Sequence, residues 1–357
     1  MKRNWLSYMC MAALLSGALT SCNESSFLNL SDPNHFTESN FWKDKADAES
    51  ALAAAYSPIK GAMYGYFSAF DGWLNLNGRG DDIFTIKGEE VPMWNIANFL
   101  NSPSTGNDPY GALYSGIQRA NIVLRYIDQI PASGITEEDR SMIKGEALFL
   151  RGYQYFLLVN NYKEVPLRLI PSNEDETNKG PASEAALWTQ VEEDLGNAIK
   201  CNLPVERTTA KERVTKGAAI AMLGKVYATQ HKYPEAKQLL VSLLSAPYSY
   251  ELVDDFAKNF TNEEEFNKES VYEIAYSPDG EYSWSNESGI CLGCYIPQFI
   301  GPVKSGGWAK LMPNSFIVGE FTKETRPNGA DTNFDKRIYA SLFFDPANYG
   351  DKVANEK

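Results

Sequence analysis

The fold is decided by "GEALFLRGYQYFLLVNNYKEVPL", Gly145 to Leu167. Its first sixteen or so residues are apolar on nearly every helical face, so they must be buried on most sides or packed between two layers. Upstream, Thr136 and Asp139 have the spacing of a capping box, which predicts a single helix from there to about Tyr162. Working outward, "PYGALYSGIQRANIVLRYIDQI" carries Leu113, Ile117, Ala120, Leu124 and Ile127 at three- and four-residue steps and should stop before Pro131. "DKADAESALAAAYSPI" puts Ala48, Ala51, Leu52, Ala55 and Ile59 on one face, with Pro58 placed to kink or end the helix. "ALWTQVEEDLGNAIKCNL" and "VTKGAAIAMLGKVYATQ" continue the series, and "YPEAKQLLVSLLSA" holds Pro234 in its first turn, where proline is tolerated.

The last two segments have the offsets of a tetratricopeptide unit at Leu223, Gly224, Tyr227, Tyr233 and Ala236. Ile220 stands where that repeat usually has Trp. Small Gly224 and Ala236 would let the helices approach while the tyrosines fill the gap; a generic helical hairpin is the alternative. The fold class is therefore mainly α: helical hairpins stacked into a superhelix, with a scaffold over about 40–63 and 108–246. Residues 64–107, with "YGYFSAFDGWLNLNGRGDDIFTIKGEEVPMW", and residues 247–357 break the pattern. The second region mixes Gly/Pro/Asn turns with β-prone runs such as "SVYEIAYS" and "RIYASLFF", so minor β structure is expected there. Long loops on a helical frame are where binding residues concentrate.

The 357 residues carry a net charge of −13 and show no basic stripe, which argues against a nucleic-acid partner. Aromatics are abundant at 20 Tyr, 18 Phe and 7 Trp. Most of them must be core, because large rings dominate packing, and the surplus favours an aromatic-lined binding surface. Lys2 and Arg3 precede the apolar run "WLSYMCMAALLSGAL", a signal-peptide pattern too short to span a bilayer comfortably. It ends at "LTSC", which looks like a bacterial lipobox: cleavage after residue 21 would leave Cys22 first and lipidated. The competing reading is a plain signal peptide with an incidental cysteine. Removing residues 1–21 leaves 31 basic against 46 acidic residues, a net charge of −15. Asn23, rather than Asp, follows the cysteine, which by resemblance to Gram-negative lipoproteins favours the outer membrane.

In motif order, the chain resembles the SusD/RagB family of Bacteroidetes outer-membrane nutrient-binding lipoproteins. "FLNLSDPNHFTESNFWKDKADAESALAAAY", "LYSGIQRANIVLRYID", "GEALFLRGYQYFLLVNNYKEVPL", "EEDLGNAIKCNLP", "VTKGAAIAMLGKVY", "NKESVYEIAY" and "FDKR" follow one another as they do in that family. Within the third, Gly145, Glu146, Ala147, Phe149, Leu150, Arg151, Tyr153 and Pro166 carry the likeness. The resemblance implies residues 22–357 as one SusD-like domain with tetratricopeptide-like helices under a loop-rich binding face. It also implies a SusC-like TonB-dependent β-barrel transporter as partner and a glycan, or in some members a peptide, as ligand. A helical-repeat protein adaptor is a further alternative. The chain ends at "GDKVANEK" without the Arg/Ala/Glu-rich helical segment expected at the family's C-terminus.

A sugar presents apolar C–H faces inside a rim of hydroxyls, so its site stacks rings on Trp or Tyr and frames them with Asp, Asn and Arg. One such cluster is Trp73, Asn75, Asn77, Arg79, Asp81, Asp82 and Trp94; a second is Tyr282, Trp284, Tyr295 and Trp308. For each ring, core packing competes with ligand contact, and for Asp81 and Asp82 a turn competes. Adjacent carboxylates rarely point the same way, so the acid pair is a poor glycosidase dyad. "DTNFD", Asp331 to Asp335, begins like a calcium loop, but Lys336 replaces the turn glycine and Leu342 the closing Glu. Two histidines and a lone Cys291/Cys294 pair, free or locally bridged, fall short of a zinc or redox site. No enzyme, metal or cofactor is expected.

Overall fold

The computed structural model describes residues 41–60, 67, 72, 77–85, 91–100, 109–277, 293–323, 335 and 337–342. The leader, Cys22, Trp73, Asn75, Tyr282, Trp284 and Cys291 lie outside them. The chain divides into two units, Met1–Lys43 and Asp44–Lys357. In the first, the Phe41 and Trp42 rings meet edge to face at 5.2 Å. The helical frame and the candidate site belong to the second.

Helix α1, Lys45–Tyr56, starts at a capping box. The Asp44 side chain accepts from the Ala46 and Asp47 N–H groups, and Asp47 returns the bond to the Asp44 N–H. It ends where expected: Pro58 converts the chain to a 3-10 turn, Ser57–Ile59. A seven-residue helix, α2, runs Val91–Ala97 inside the region read from sequence as loop. Helix α3, Tyr110–Tyr126, buries Leu113, Ile117, Ala120 and Val123. Val123 holds the buried place expected of Leu124, which is only half-buried, one step round the helix. Helix α4, Glu137–Tyr162, has Thr136 as N-cap. There the Asp139 carboxylate turns to the Thr136 hydroxyl at 2.9 Å and to Lys45 at 2.7 Å.

Helix α4 packs against α3 on one side and α5, Glu184–Lys200, on the other. Both neighbours explain its all-round burial: Phe149, Leu150, Tyr155, Leu158 and Val159 are each at most 1% exposed. Contacts then run in chain order from α5 to α6, Lys216–Thr229, and to α7, Tyr233–Ser242, while α1 lies against α3 and α4. The result is the stacked-hairpin frame expected from the sequence. One detail differs. The gap beside Gly224 is filled by Leu240, whose Cδ2 would lie 2.7 Å from a Cβ at that glycine. Tyr233 is 60% exposed and bonds His231 across 2.7 Å.

Two buried ion clusters bolt loops onto this frame. Glu146, fully buried, accepts from Arg207 at 2.7 Å, from Arg213 at 2.9 and 2.8 Å, and from the Tyr56 hydroxyl at 2.6 Å. Burial opposes the Arg213 charge, yet the Glu146 bond and charge outweigh it and hold the guanidinium above its usual range. Arg151 binds Asp194 in a two-pronged pair at 2.8 and 2.6 Å and donates to Asn121 at 2.9 Å. Asn121 passes the constraint on to the carbonyls of Arg168 and Ile170, and the Tyr155 hydroxyl bonds the Arg168 backbone. The segment after α4 has one isolated bridge, Pro166 with Pro181, so side chains satisfy much of its backbone.

The β-prone runs of the C-terminal region mostly go elsewhere. "SVYEIAYS" makes no strand, and Ile338–Ser341 inside "RIYASLFF" is one helical turn; among the described residues neither has a neighbouring strand to satisfy its ladder. Among the described residues the β structure is a two-residue antiparallel pair, β1 Ile83–Phe84 with β2 Met312–Pro313. No described helix is long and apolar enough to cross a membrane.

Candidate functional site

That small β pair joins the two candidate clusters. Ile83 aligns with Pro313 and Phe84 with Met312. The Asn314 N–H donates to the Asp82 carbonyl at 2.9 Å, and its side-chain amide donates to the Asp81 carbonyl. The same Asn314 side chain accepts from the Ile317 N–H at 3.1 Å, at the start of helix α9, Ser315–Lys323. Asn77 closes the preceding turn, its carbonyl accepting from Gly80 at 2.8 Å. Asp81 and Asp82 thus hold the turn through their backbones while their side chains stay exposed; Arg79 is half-buried beside them.

Below the pair sits a second, smaller core of Met93, Phe299 and Leu311, against which Ile83, Tyr295, Ile296 and Trp308 pack. Met93 comes from α2 and Phe299 from the short helix α8, Ile296–Ile300. Trp94, next on α2, is half-buried, and its carbonyl caps the helix end by accepting from the Asn98 amide at 2.7 Å. The Tyr295 and Trp308 rings lie 6.4 Å apart at 21°, and Phe299 meets Trp308 edge-on at 6.3 Å. Trp308 is locked by its N–H to the Gln298 carbonyl at 2.8 Å. The bend before it requires glycine twice. Gly306 has φ +85°, and a Cβ on Gly307 would lie 2.1 Å from the Gly301 carbonyl oxygen.

Of the eleven candidates, Asn77, Arg79, Asp81, Asp82, Trp94, Tyr295 and Trp308 therefore belong to one lobe built on one small core. This arrangement offers two near-parallel rings, a tryptophan on α2 and an exposed acidic turn, which is chemistry for holding a polar ring compound rather than for bond cleavage. Among the described residues no three His, Cys, Asp or Glu side chains gather as metal ligands. Cys294 is a half-buried thiol whose ionisation burial pushes up, the opposite of a reactive cysteine. Sequence reasoning missed Asn314, whose doubled bond to the acidic turn carries no motif.

Known proteins share this architecture. Residues 80–228 match the family described as starch-binding and associating with the outer membrane, and residues 268–357 match the SusD family. A solved SusD superfamily protein from Bacteroides vulgatus is 31% identical with a TM-score of 0.72, over 84% of this chain and 61% of that one. A solved laminarin-binding SusD-like protein is 29% identical with a TM-score of 0.61, over 69% of this chain and 54% of that one. The SusD-like protein P38 of Formosa agariphila is 26% identical over 234 residues, 64% of this chain and 43% of the relative. The chain thus spans less than two thirds of the length of each of these three relatives. The matched segments contain Glu146, Arg151, Asp194, Arg207 and Arg213 of the buried ion clusters and Trp94, Tyr295 and Trp308 of the lobe, and the chain belongs to the SusD/RagB family.

Proposed function

We propose that this protein is a non-catalytic glycan-binding protein of the bacterial cell surface. Lipid on Cys22 anchors it in the outer membrane, and it delivers oligosaccharide to a SusC-like TonB-dependent β-barrel. The observation that carries the reading is the meeting of the Tyr295–Trp308 ring pair with the Asn77–Asp82 turn in one lobe. Rings of this kind stack on the C–H faces of a pyranose, and Asp, Asn and Arg side chains bond its hydroxyls. The laminarin bound by one relative supports a β-glucan as first test ligand.

The test is affinity electrophoresis of the purified protein in gels cast with laminarin, starch and a panel of other soluble glycans. Retardation is expected in at least one gel, with Trp308→Ala and Trp94→Ala each weakening it about tenfold, roughly 1.4 kcal/mol for the loss of one ring contact. Equal retardation of wild type and both variants would remove the site assignment. Free migration in every gel would remove the function.

A further inference from the structure

Away from that lobe, a cavity of about 340 Å³ opens between α1 and residues 272–275. This is within the size range of small-ligand sites. Its floor is aliphatic, from Leu52, Ile59, Ile274 and Ala275, and three carboxylates line it: Glu49, Glu212 and Glu273. The cations nearby are largely spent. Arg213 gives Nη1 to Glu49 at 2.7 Å and its other two nitrogens to Glu146, which Arg207 shares. Two guanidinium groups and two carboxylates close that cluster at neutrality.

Lys60 points its ammonium to the Ala275 carbonyl at 3.2 Å and stands 6.0 Å from the Tyr276 ring. Glu273 accepts from the Phe266 N–H at 2.9 Å, and Glu212 is exposed. The lining therefore carries two carboxylates outside the neutral cluster against one lysine that is bonded to a carbonyl. The Tyr272 phenol on the wall is held above its ordinary range by burial, then by Tyr153, Glu146 and Glu212.

We propose that this cavity binds a small organic cation, a primary amine on an apolar body, with the body on the aliphatic floor and the ammonium at Glu212 and Glu273. A neutral sugar fits the lining less well, because the two wall tyrosines, Tyr56 and Tyr272, are engaged with Glu146 and Phe149 of the frame and the lining offers carboxylates where a pyranose needs amides. An anion is repelled. This site is separate from the Trp308 lobe and does not depend on the glycan reading.

Isothermal titration of the full chain at low ionic strength tests it with three probes that share a phenethyl body: phenethylamine, phenethyl alcohol and 3-phenylpropionate. The amine should bind with one-to-one stoichiometry, about tenfold or more tighter than the alcohol, as a charge-assisted hydrogen bond implies. The carboxylate should not bind. Glu212→Gln, at an exposed position, should weaken the amine about three- to fivefold at low ionic strength. Ala53→Phe, which fills the cavity from the exposed side of α1, should abolish binding with helical content unchanged. Glycan retardation should be the same in both variants as in wild type. Equal binding of amine and alcohol, unchanged binding in Ala53→Phe, or no heat from any probe overturns the proposal.

Discussion

Glu146 shows how much one side chain can hold. Its carboxylate joins α4 to Arg207, Arg213 and Tyr56, and it is fully buried. Cutting it to Ala leaves two guanidinium groups facing each other without their shared partner. The expected loss is about 3–5 kcal/mol in urea unfolding, as for other broken buried pairs; a loss below about 1 kcal/mol would mean that water replaces the carboxylate at little cost. Cys201 offers a second residue-scale check. Burial raises its thiol above the usual range, against the Ser141 bond and the charges of Lys144 and Lys216. Peptide-resolved iodoacetamide labelling at pH 8 should modify Cys201 several-fold more slowly in folded than in denaturant-unfolded protein. Glu146 and Arg151 were visible in the sequence as part of a family signature. Asp194 stands in a family stretch too, but the pairings were not legible, because Arg207, Arg213 and Asp194 lie 43 to 67 residues from their partners with no spacing rule to connect them.

For whole elements, helix α4 and its neighbours were legible and the short elements were not. The α4 pattern has enough turns for its periodicity to be unambiguous, and packing between α3 and α5 agrees with its all-round apolar second half. Its contact with α5 passes over Gly152, where an added Cβ would lie 3.1 Å from the Asp194 Cβ and 3.2 Å from the Leu195 Cγ. Gly152→Val should push α5 outward and cost about 1–3 kcal/mol by overpacking, seen as a lower urea midpoint at unchanged slope. The starts of α1 and α4 are tied by Lys45 and Asp139. The Lys45 bond, with help from Thr136, holds the Asp139 carboxyl below its usual range. Its folded value is thus below the unfolded one, so the contribution is present at neutral pH and fades as pH falls through the folded value, below about 4. Lys45→Met should flatten that acid limb of the stability curve; an identical limb would assign no role to the pair. By contrast, α2, β1, β2 and the turn at Ile338 are too short for any period to register, so their state follows from what lies beside them.

Taken whole, the chain is acidic, with a net charge of −13, and its proposed glycan grip relies on rings and hydrogen bonds. Retardation by a neutral glycan should therefore hardly change between about 50 and 500 mM salt, whereas phenethylamine binding should weaken over that range. A glycan affinity that falls steeply with salt would point to charge-driven contact and against stacking on Trp308. The two aromatic-polar clusters stand more than 180 residues apart, at Trp94 and earlier and at Tyr282 and later, and each was legible as composition. The union of their described members in one lobe was not, since it depends on Asn314, on a two-residue strand pair and on the Gly306–Gly307 bend.

What the sequence determined by itself was the long-helix frame and the family, together with the kinds of residue on which the glycan proposal draws. These depend on local periodicity and on motifs read in order along the chain. Only the tertiary structure decided which of those residues share a core, how α4's buried charges are neutralised, and that an acid-rimmed cavity opens beside α1. Each of these is a contact between residues far apart in the chain, and its energy comes from removing both partners from water together, a quantity no local pattern records.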